Sequence, residues 1–229
     1  MTGMTIRSAS NAYGCYAIPE GCASRPAARA VLSGGIYEPE TLDFMRRYAG
    51  RGDIVHAGTF FGDFLPALAS ALAPTRRLWA FEPNPVSVAA AHETITLNGL
   101  RNVTLTHAAL SNRAGALHFR THRSDGRPLG GLSQVVDSPG PGVETVPAAM
   151  LDFVVPQERP LGIIQLDVEG HEKPALKGAY HLIHRWRPLL ILEHFEAEGW
   201  ITRTFRGLGY RRIGALHGNT VFATEPMVL

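Results

Sequence analysis

From residue 50 onward, short apolar runs alternate with longer segments of helical character, and this alternation limits the possible folds more than any other feature of the sequence. The predicted strands are residues 53–57, 78–81, 103–110, 161–167 and 189–193. The predicted helices are residues 63–73, 85–97, 173–187 and 196–208, and the chain closes with an antiparallel strand pair at 210–213 and 220–224. Alternation on this scale predicts an α/β protein with a doubly wound, mostly parallel sheet that is covered on both faces.

Start and stop signals support two of these helices. Asp63 is the predicted N-cap of the first, which places Pro66 in the first turn, where proline costs no hydrogen bond. Pro85 opens the second helix, and Asn98-Gly99 is typical of a C-cap. We therefore expect the ends of both helices to be set by local sequence.

The alternating region, residues 50–229, is predicted to be one domain preceded by an N-terminal cap segment at 1–49. Residues 124–142 interrupt the pattern with five glycines and three prolines. A structureless loop of this length inside a compact domain is uncommon unless it covers a site. We interpret the segment as an insertion over the site, with disorder as the alternative.

Composition narrows the environment and the partners. Two cysteines, Cys15 and Cys22, cannot form a disulfide framework, which is typical of a reducing cytoplasm. Residues 1–12 are polar and lead into no signal-peptide core, and no apolar run approaches the ~20 residues that cross a bilayer. The 22 basic residues balance 20 acidic ones without a dense basic run. We expect a soluble cytoplasmic protein that acts on a small molecule or glycan and binds neither nucleic acid nor membrane; its oligomeric state stays open.

The ends of the first two strands predict a nucleoside site. In an open parallel sheet, ligands bind beyond the carboxyl ends of the strands, where the strand order reverses. Gly58 and Gly62 follow the first strand and permit a tight turn, while Glu82 ends the second and is placed to accept hydrogen bonds from ribose hydroxyls. NAD uses the same geometry and remains an alternative. Bulky Phe60 and Phe61 between the glycines favour a nucleoside without a pyrophosphate.

The densest polar cluster follows the fourth strand, in the stretch DVEGHE at 167–172. Asp167 and Glu169 are the stronger candidates for site residues, while Glu172 precedes a helix, where an acid has a structural use. His171 belongs to the same cluster. His194 follows Glu193 at the end of the fifth strand, on the same rim of the sheet.

The chain resembles the FkbM-type methyltransferases, a family of S-adenosylmethionine-dependent enzymes. The matching stretches are YEP at 37–39, the loop at 56–64, FEPNP at 81–85, LNGLRNVTLTHAALSN at 97–112, LDVEGHEKPALKGA at 166–179 and ILE at 191–193. The resemblance implies the Rossmann-like class I methyltransferase fold, a doubly wound, mostly parallel seven-stranded sheet with an antiparallel C-terminal pair. It also implies S-adenosylmethionine as the cofactor.

The resemblance places the cofactor along the strand ends. It implies that the Gly58 loop borders the methionine part, that Glu82 holds the ribose hydroxyls, that 108–111 lines the adenine and that Asp167 lies near the reactive methyl. The residues implied in cofactor binding are Tyr37, Glu38, His56, Gly58, Thr59, Gly62, Asp63, Glu82, Pro83, Asn84, Ala109, Ser111 and Asp167.

Two positions depart from the family pattern. His56 stands where the family usually has aspartate, and Phe60 stands near a usual asparagine. The contacts to the amino group of the cofactor are then expected from Asp63 or Glu38.

The expected reaction is O-methylation of a hydroxyl on a sugar or on a polyketide or peptide natural product. A hydroxyl needs a general base within hydrogen-bond reach, and the candidate catalytic residues are Asp167, Glu169, His171 and His194. No metal-ligand spacing appears in the sequence, so no metal ligands are assigned. Three alternatives stay open: a divalent-metal-dependent O-methyltransferase using Asp167, Glu169, Glu193 and His194, a non-catalytic nucleoside-binding protein and a nicotinamide dehydrogenase.

Overall fold

The computed structural model describes residues 5–229, so the first four residues of the predicted cap segment lie outside it. The strands are β1 (Ile6–Asn11), β2 (Gly14–Pro19), β3 (Asp53–Ala57), β4 (Leu78–Phe81), β5 (Val103–Thr106), β6 (Ala109–Leu110), β7 (Gly115–Arg120), β8 (Gln134–Val136), β9 (Val143–Ala149), β10 (Leu161–Leu166), β11 (Leu189–Glu193), β12 (Arg211–Leu216) and β13 (Asn219–Ala223). The α-helices are α1 (Pro26–Leu32), α2 (Pro39–Arg47), α3 (Leu65–Ala71), α4 (Pro85–Leu97), α5 (Leu151–Val154), α6 (Glu172–Lys177), α7 (Tyr180–Trp186) and α8 (Glu198–Thr204).

A seven-stranded sheet organises the molecule, in the order β12-β13-β11-β10-β3-β4-β5. The pairs within β11-β10-β3-β4-β5 are parallel, while β13 pairs antiparallel with both β11 and β12. Every residue of β3 and β10 is buried, which explains the near-continuous apolar sequence of β10. The predicted doubly wound, mostly parallel α/β sheet with an antiparallel C-terminal pair is confirmed.

The strand order reverses between β3 and β10. From β3 the chain proceeds to β4 and β5 on one side, and β10 then starts the other half of the sheet. Gly58 and Asp167 follow these two strands and lie in contact: a Cβ on Gly58 would come within 1.8 Å of the Asp167 carbonyl oxygen. Glycine at 58, with φ +82°, therefore lets the two loops meet at the point where such sheets bind ligands.

A second sheet was missed by sequence reasoning. It has four strands in the order β6-β9-β7-β8. The predicted strand at 103–110 is wrong in extent, because a turn in which Ala108 N donates to Thr106 O separates β5 from β6 and sends them into different sheets. Within 124–142, residues Gln134–Val136 form β8, so this segment is not structureless.

Three predicted helices differ in the structure. The segment 173–187 is two helices, because Gly178 packs so closely on Ser111 that a Cβ would lie 2.0 Å from its carbonyl oxygen. The helix predicted at 63–73 begins later, with Phe64 as the N-cap, so Asp63 does not cap it. The last predicted helix, 196–208, is likewise shorter, Glu198–Thr204.

The carboxylate of Asp152, a residue outside α7, caps the N-terminal end of that helix. It accepts hydrogen bonds of 3.0 Å from the backbone N–H groups of His181 and Leu182. We expect Asp152→Ala to cost about 1–2 kcal/mol of unfolding free energy. This would lower Tm by about 2–4 °C per kcal/mol in a chain of this size. Thermal unfolding followed by circular dichroism checks it, with exposed Asp137→Ala as the control; equal Tm values for the two variants would contradict the capping role.

The N-terminal hairpin of β1 and β2 packs on α4. The backbone N–H groups of Cys15 and Ala17 donate to side-chain oxygens of Asn98 (2.9 Å) and Thr94 (3.1 Å). These contacts place the segment that follows the hairpin beside the carboxyl ends of the parallel strands. No helix within residues 5–229 has the length and apolar character needed to cross a membrane.

Candidate active site

A cleft opens at the carboxyl ends of the parallel strands, beside the reversal between β3 and β10. The sequence-predicted residues that line it are Tyr37, Glu38, His56, Gly58, Asp63, Glu82, Pro83, Ala109, Asp167, Glu169 and His171. Those that lie outside its lining are Thr59, Gly62, Asn84, Ser111 and His194. The structure thus brings most of the candidates into one cavity.

The loop after β3 presents a backbone donor to Glu82. Phe60 has a left-handed conformation, φ +50°, between Gly58 (φ +82°) and Gly62 (φ +86°). A bulky residue is uncommon in this region, and such conformations cluster at functional sites. The turn directs the Phe60 N–H to Glu82 Oε2, at 2.8 Å.

Glu82 is a fixed, buried carboxylate. Its side chain follows β4, and the residue is 6% exposed. Asn84 N donates to Oε1 at 2.8 Å, so each oxygen holds one backbone hydrogen bond and keeps further acceptor capacity. Burial raises the pKa of Glu82 to about 7, although the two backbone hydrogen bonds oppose the shift. The carboxylate is therefore ready to accept hydroxyl donors from a ligand.

His56 is a neutral imidazole in the cleft wall. Its ring stacks on Phe64 with centroids 5.4 Å apart, and Nδ1 contacts Gln165 Oε1. Burial lowers the pKa of His56 to about 4. Because Gln165 Oε1 is an acceptor, the proton is assigned to Nδ1, and Nε2 then carries a lone pair. Nε2 is buried and has no hydrogen-bond partner within the described residues, so it can accept a donor from a ligand.

Three carboxylates, which we call the acidic rim, lie together at the ends of β10 and β11: Asp167, Glu169 and Glu193. One oxygen from each lies within 4.8 Å of the others. Burial, and then the neighbouring Glu193, raise the pKa of Asp167 well above its usual value, and the same two causes raise the pKa of Glu169 to about 7. No lysine or arginine among residues 5–229 forms an ion pair with the rim. The cleft therefore favours a cationic ligand at this point.

Two further acids line the same cleft as the rim. Asp63, freed from any capping role, faces the cleft, and burial raises its pKa to about 7. Glu38 has φ +44° and accepts a 2.7 Å hydrogen bond from Asn219 Nδ2, and burial raises its pKa as well. Both carboxyls add to the negative character of the cavity.

The two candidate histidines have different positions. His171 lines the cleft, and its Nε2 lies 3.1 Å from Ser111 Oγ. Burial lowers the pKa of His171, so it is neutral at pH 7. His194 is outside the cleft: its side chain is 79% exposed, with Nε2 3.6 Å from a Glu193 oxygen. Of the two, only His171 can reach a ligand in the cleft.

Sequence reasoning did not identify one wall of the cleft by residue. This wall consists of the 3-10 turn Gly130–Leu132, Ser133 and Val135, with Phe119 from β7 and Arg25 from the N-terminal segment. Arg25 Nη2 donates to Pro128 O at 2.8 Å, and Asn84 Nδ2 donates to Ser133 Oγ at 3.2 Å. The glycine and proline content of 124–142 was the only signal for this wall.

The sequence matches a known protein family, and the fold is similar to solved structures. A family model described as the methyltransferase FkbM domain matches residues 56–212. The chain is similar to the structure of a methyltransferase FkbM from Methylobacillus flagellatus KT, at 16% identity and a TM-score of 0.51, over 75% of this chain and 42% of that one. It is also similar to the tRNA (uracil-54, C5)-methyltransferase of Pyrococcus abyssi in complex with S-adenosyl-L-homocysteine, at 11% identity and a TM-score of 0.50, over 96% of this chain and 44% of that one. No curated protein matches the chain.

The two structural likenesses concern the fold. They show the Rossmann-like class I methyltransferase fold that the sequence predicted. The chain spans less than half the length of either protein, 42% and 44%.

Proposed function

The chain belongs to the FkbM methyltransferase family, whose methyl donor is S-adenosylmethionine, and we propose that it transfers this methyl group to a hydroxyl of a small molecule or glycan. The expected acceptors are sugars and polyketide or peptide natural products. The observation that carries the proposal is that Glu82 and the acidic rim line the same cleft. Glu82 suits the hydroxyls of a ribose. The rim suits a sulfonium cation and the acceptor oxygen that attacks its methyl group.

The residues present fit S-adenosylmethionine. Glu82, held by two backbone N–H groups, offers acceptors to two ribose hydroxyls. The cofactor carries a sulfonium and an ammonium, and the cleft offers carboxyls at Asp63, Glu38 and the rim. The free lone pair of His56 Nε2 provides an acceptor for the ammonium, which compensates for the aspartate that the family usually has there. Ala109 and Pro83 both line the cleft, and Ala109 belongs to the stretch assigned to adenine.

In this mechanism the protein aligns and deprotonates the acceptor. When bound, S-adenosylmethionine supplies a methyl carbon with a good leaving group, so the oxygen–carbon bond forms as the carbon–sulfur bond breaks. Alignment of the two reactants can contribute about 7–11 kcal/mol. The acceptor hydroxyl hydrogen-bonds to the rim, where Glu169, with its pKa of about 7, takes the proton as oxygen attacks. The wall at 130–135 lines the same cleft as the rim and Glu82.

A methyl-labelled donor tests the proposal. The full chain is incubated with methyl-labelled S-adenosylmethionine and separate panels of hydroxylated sugars, polyketides, peptides, primary amines and transfer RNA. We expect label in an O-methyl group of a small molecule or glycan. Label confined to amines or RNA would contradict the proposed acceptor class. Cofactor binding without label transfer to any panel would favour the alternative of a non-catalytic nucleoside-binding protein.

Cofactor affinity should depend on pH, because it needs ionised carboxyls. Glu82 and Asp63 both have a pKa of about 7, raised by burial, so a bound cation and ribose lower these pKa values and binding releases protons. The ionised fraction of each falls about tenfold between pH 8 and pH 6. We expect the Kd for S-adenosylmethionine to rise at least about tenfold over this interval. Calorimetry in two buffers of different ionisation enthalpy checks both affinity and proton release; a flat Kd would contradict these assignments.

A further inference from the structure

The acidic rim gathers negative charge that no basic side chain of the described chain neutralises. We propose that Asp167, Glu169 and Glu193 bind a divalent cation, Mg²⁺ or Mn²⁺, which holds the acceptor oxygen for methyl transfer. The inference rests on the proposed function for its purpose, although the binding itself can be measured without turnover.

The geometry suits a hard cation. The three carboxylate oxygens lie within 4.8 Å of one another. Ligands at about 2.0–2.1 Å around an octahedral ion are about 3–4 Å apart, so small side-chain rotations complete the set. Asp167 and Glu169 follow β10, and Glu193 ends β11, its parallel neighbour in the sheet, so two rigid elements present the ligands.

A second observation points to a missing partner. Oδ1 of Asp167 is buried and accepts no hydrogen bond from an N–H or O–H donor among residues 5–229, and the closest interaction of this carboxyl is with another acid, Glu193. A buried carboxylate oxygen without a donor is costly, and a bound ion removes that cost. The backbone at Glu169 is left-handed, φ +51°, before Gly170, and this turn brings its carboxylate back to Asp167.

The donor set defines the class of ion. Three carboxylates with room for water and an acceptor oxygen suit Mg²⁺ and Mn²⁺, whereas Zn²⁺ sites favour nitrogen and sulfur. His194 is not a ligand, because its side chain is 79% exposed and lies outside the cleft. The cation would lie beside the position assigned to the reactive methyl, where it would polarise the acceptor hydroxyl and lower its pKa, and the proton would then leave to water.

Manganese titration tests the site. The metal-stripped full chain is titrated with Mn²⁺, and free Mn²⁺ is followed by electron paramagnetic resonance. We expect one Mn²⁺ per chain, displaced by Mg²⁺, and a loss of at least about 100-fold in affinity for Glu193→Gln and Glu169→Gln, since even an outer-shell partner contributes about 10–100-fold. Glu196→Gln, an exposed acid on the same loop, should bind as the native chain does. Circular dichroism verifies that each variant folds.

The outcomes of these experiments separate this inference from the proposed function. Absence of Mn²⁺ binding, or equal binding by Glu193→Gln and the native chain, overturns the metal site. If the metal-stripped chain still binds S-adenosylmethionine and methylates a hydroxyl at an unchanged rate, the rim acts as a base alone and the proposed function stands. If Mn²⁺ binds while S-adenosylmethionine does not, the proposed function fails and the metal site stands.

Discussion

Replacing Glu82 with alanine should reduce the affinity for S-adenosylmethionine by about 10²–10⁴-fold. The carboxylate is proposed to accept two ribose hydroxyls, and hydrogen bonds to a charged group contribute about 1.5–3 kcal/mol each, or about 3–6 kcal/mol together. The substitution also frees the N–H groups of Phe60 and Asn84, which loosens the loop that shapes this end of the cleft. Isothermal titration calorimetry at pH 8 measures the change.

Two companion variants make the Glu82 result interpretable. Glu82→Gln keeps the shape and one acceptor oxygen, so its affinity should fall between those of the native chain and the alanine variant. Glu93→Ala removes an exposed acid from α4 and should leave the affinity unchanged. An alanine variant that folds and binds S-adenosylmethionine within about twofold of the native Kd, a difference of only about 0.4 kcal/mol, would refute the ribose assignment.

Replacing Asp167 with asparagine should lower kcat by at least about 100-fold while Tm stays equal or rises. Electrostatic stabilisation at the reacting atoms contributes about 10²–10³-fold, and the substitution removes one carboxyl of the rim beside the reactive methyl. The free energy of unfolding should not fall, because burial and the neighbouring Glu193 already disfavour the ionised form of Asp167. An amide of the same shape carries no charge and removes the repulsion between the two carboxylates. Steady-state kinetics and thermal unfolding on the same sample give both values.

The combination of these two readouts separates a catalytic role from a structural one. If Asp167 acts only in packing, Tm should fall together with activity. Native kcat in Asp167→Asn would contradict its assignment at the reacting atoms. Glu196→Gln serves again as the control and should alter neither value.

Much of the main sheet could be predicted because its strands are buried on both faces. The bounds of β3, β4 and β11 agree with the sequence prediction, since each is a short, mostly buried run of four or five residues. The bounds of α4 agree because Pro85 opens the helix and Asn98-Gly99 ends it. Asn84, the N-cap of α4, accepts from Val86 N as a local capping residue does.

The second sheet could not be predicted in the same way. Strands β7 and β9 are largely exposed or half-buried, so neither shows a strong apolar alternation. Their pairing joins residues 115–120 to 143–148 across a segment rich in glycine and proline. The division between α6 and α7 likewise depends on a contact of Gly178 with Ser111, which is distant in sequence.

The residues of the candidate site also fall into those that could be predicted from the sequence and those that could not. Acids at strand ends, such as Glu82 and Asp167, could be found because sheet topology brings strand ends together. Phe119 and Arg25 could not, because each reaches the cleft through tertiary packing and carries no local motif. His194 shows the reverse: its position in sequence indicated the rim, but a left-handed backbone (φ +44°) accompanies a side chain that lies in solvent.

The most direct test of the central claim is a calorimetric titration of the native chain with S-adenosylmethionine at pH 8, repeated in the presence of excess NAD. We predict one bound S-adenosylmethionine per chain, an affinity that NAD leaves unchanged and competition by S-adenosylhomocysteine. Absence of binding, or displacement of the cofactor by NAD, would contradict the account of this cleft as a methyl-donor site.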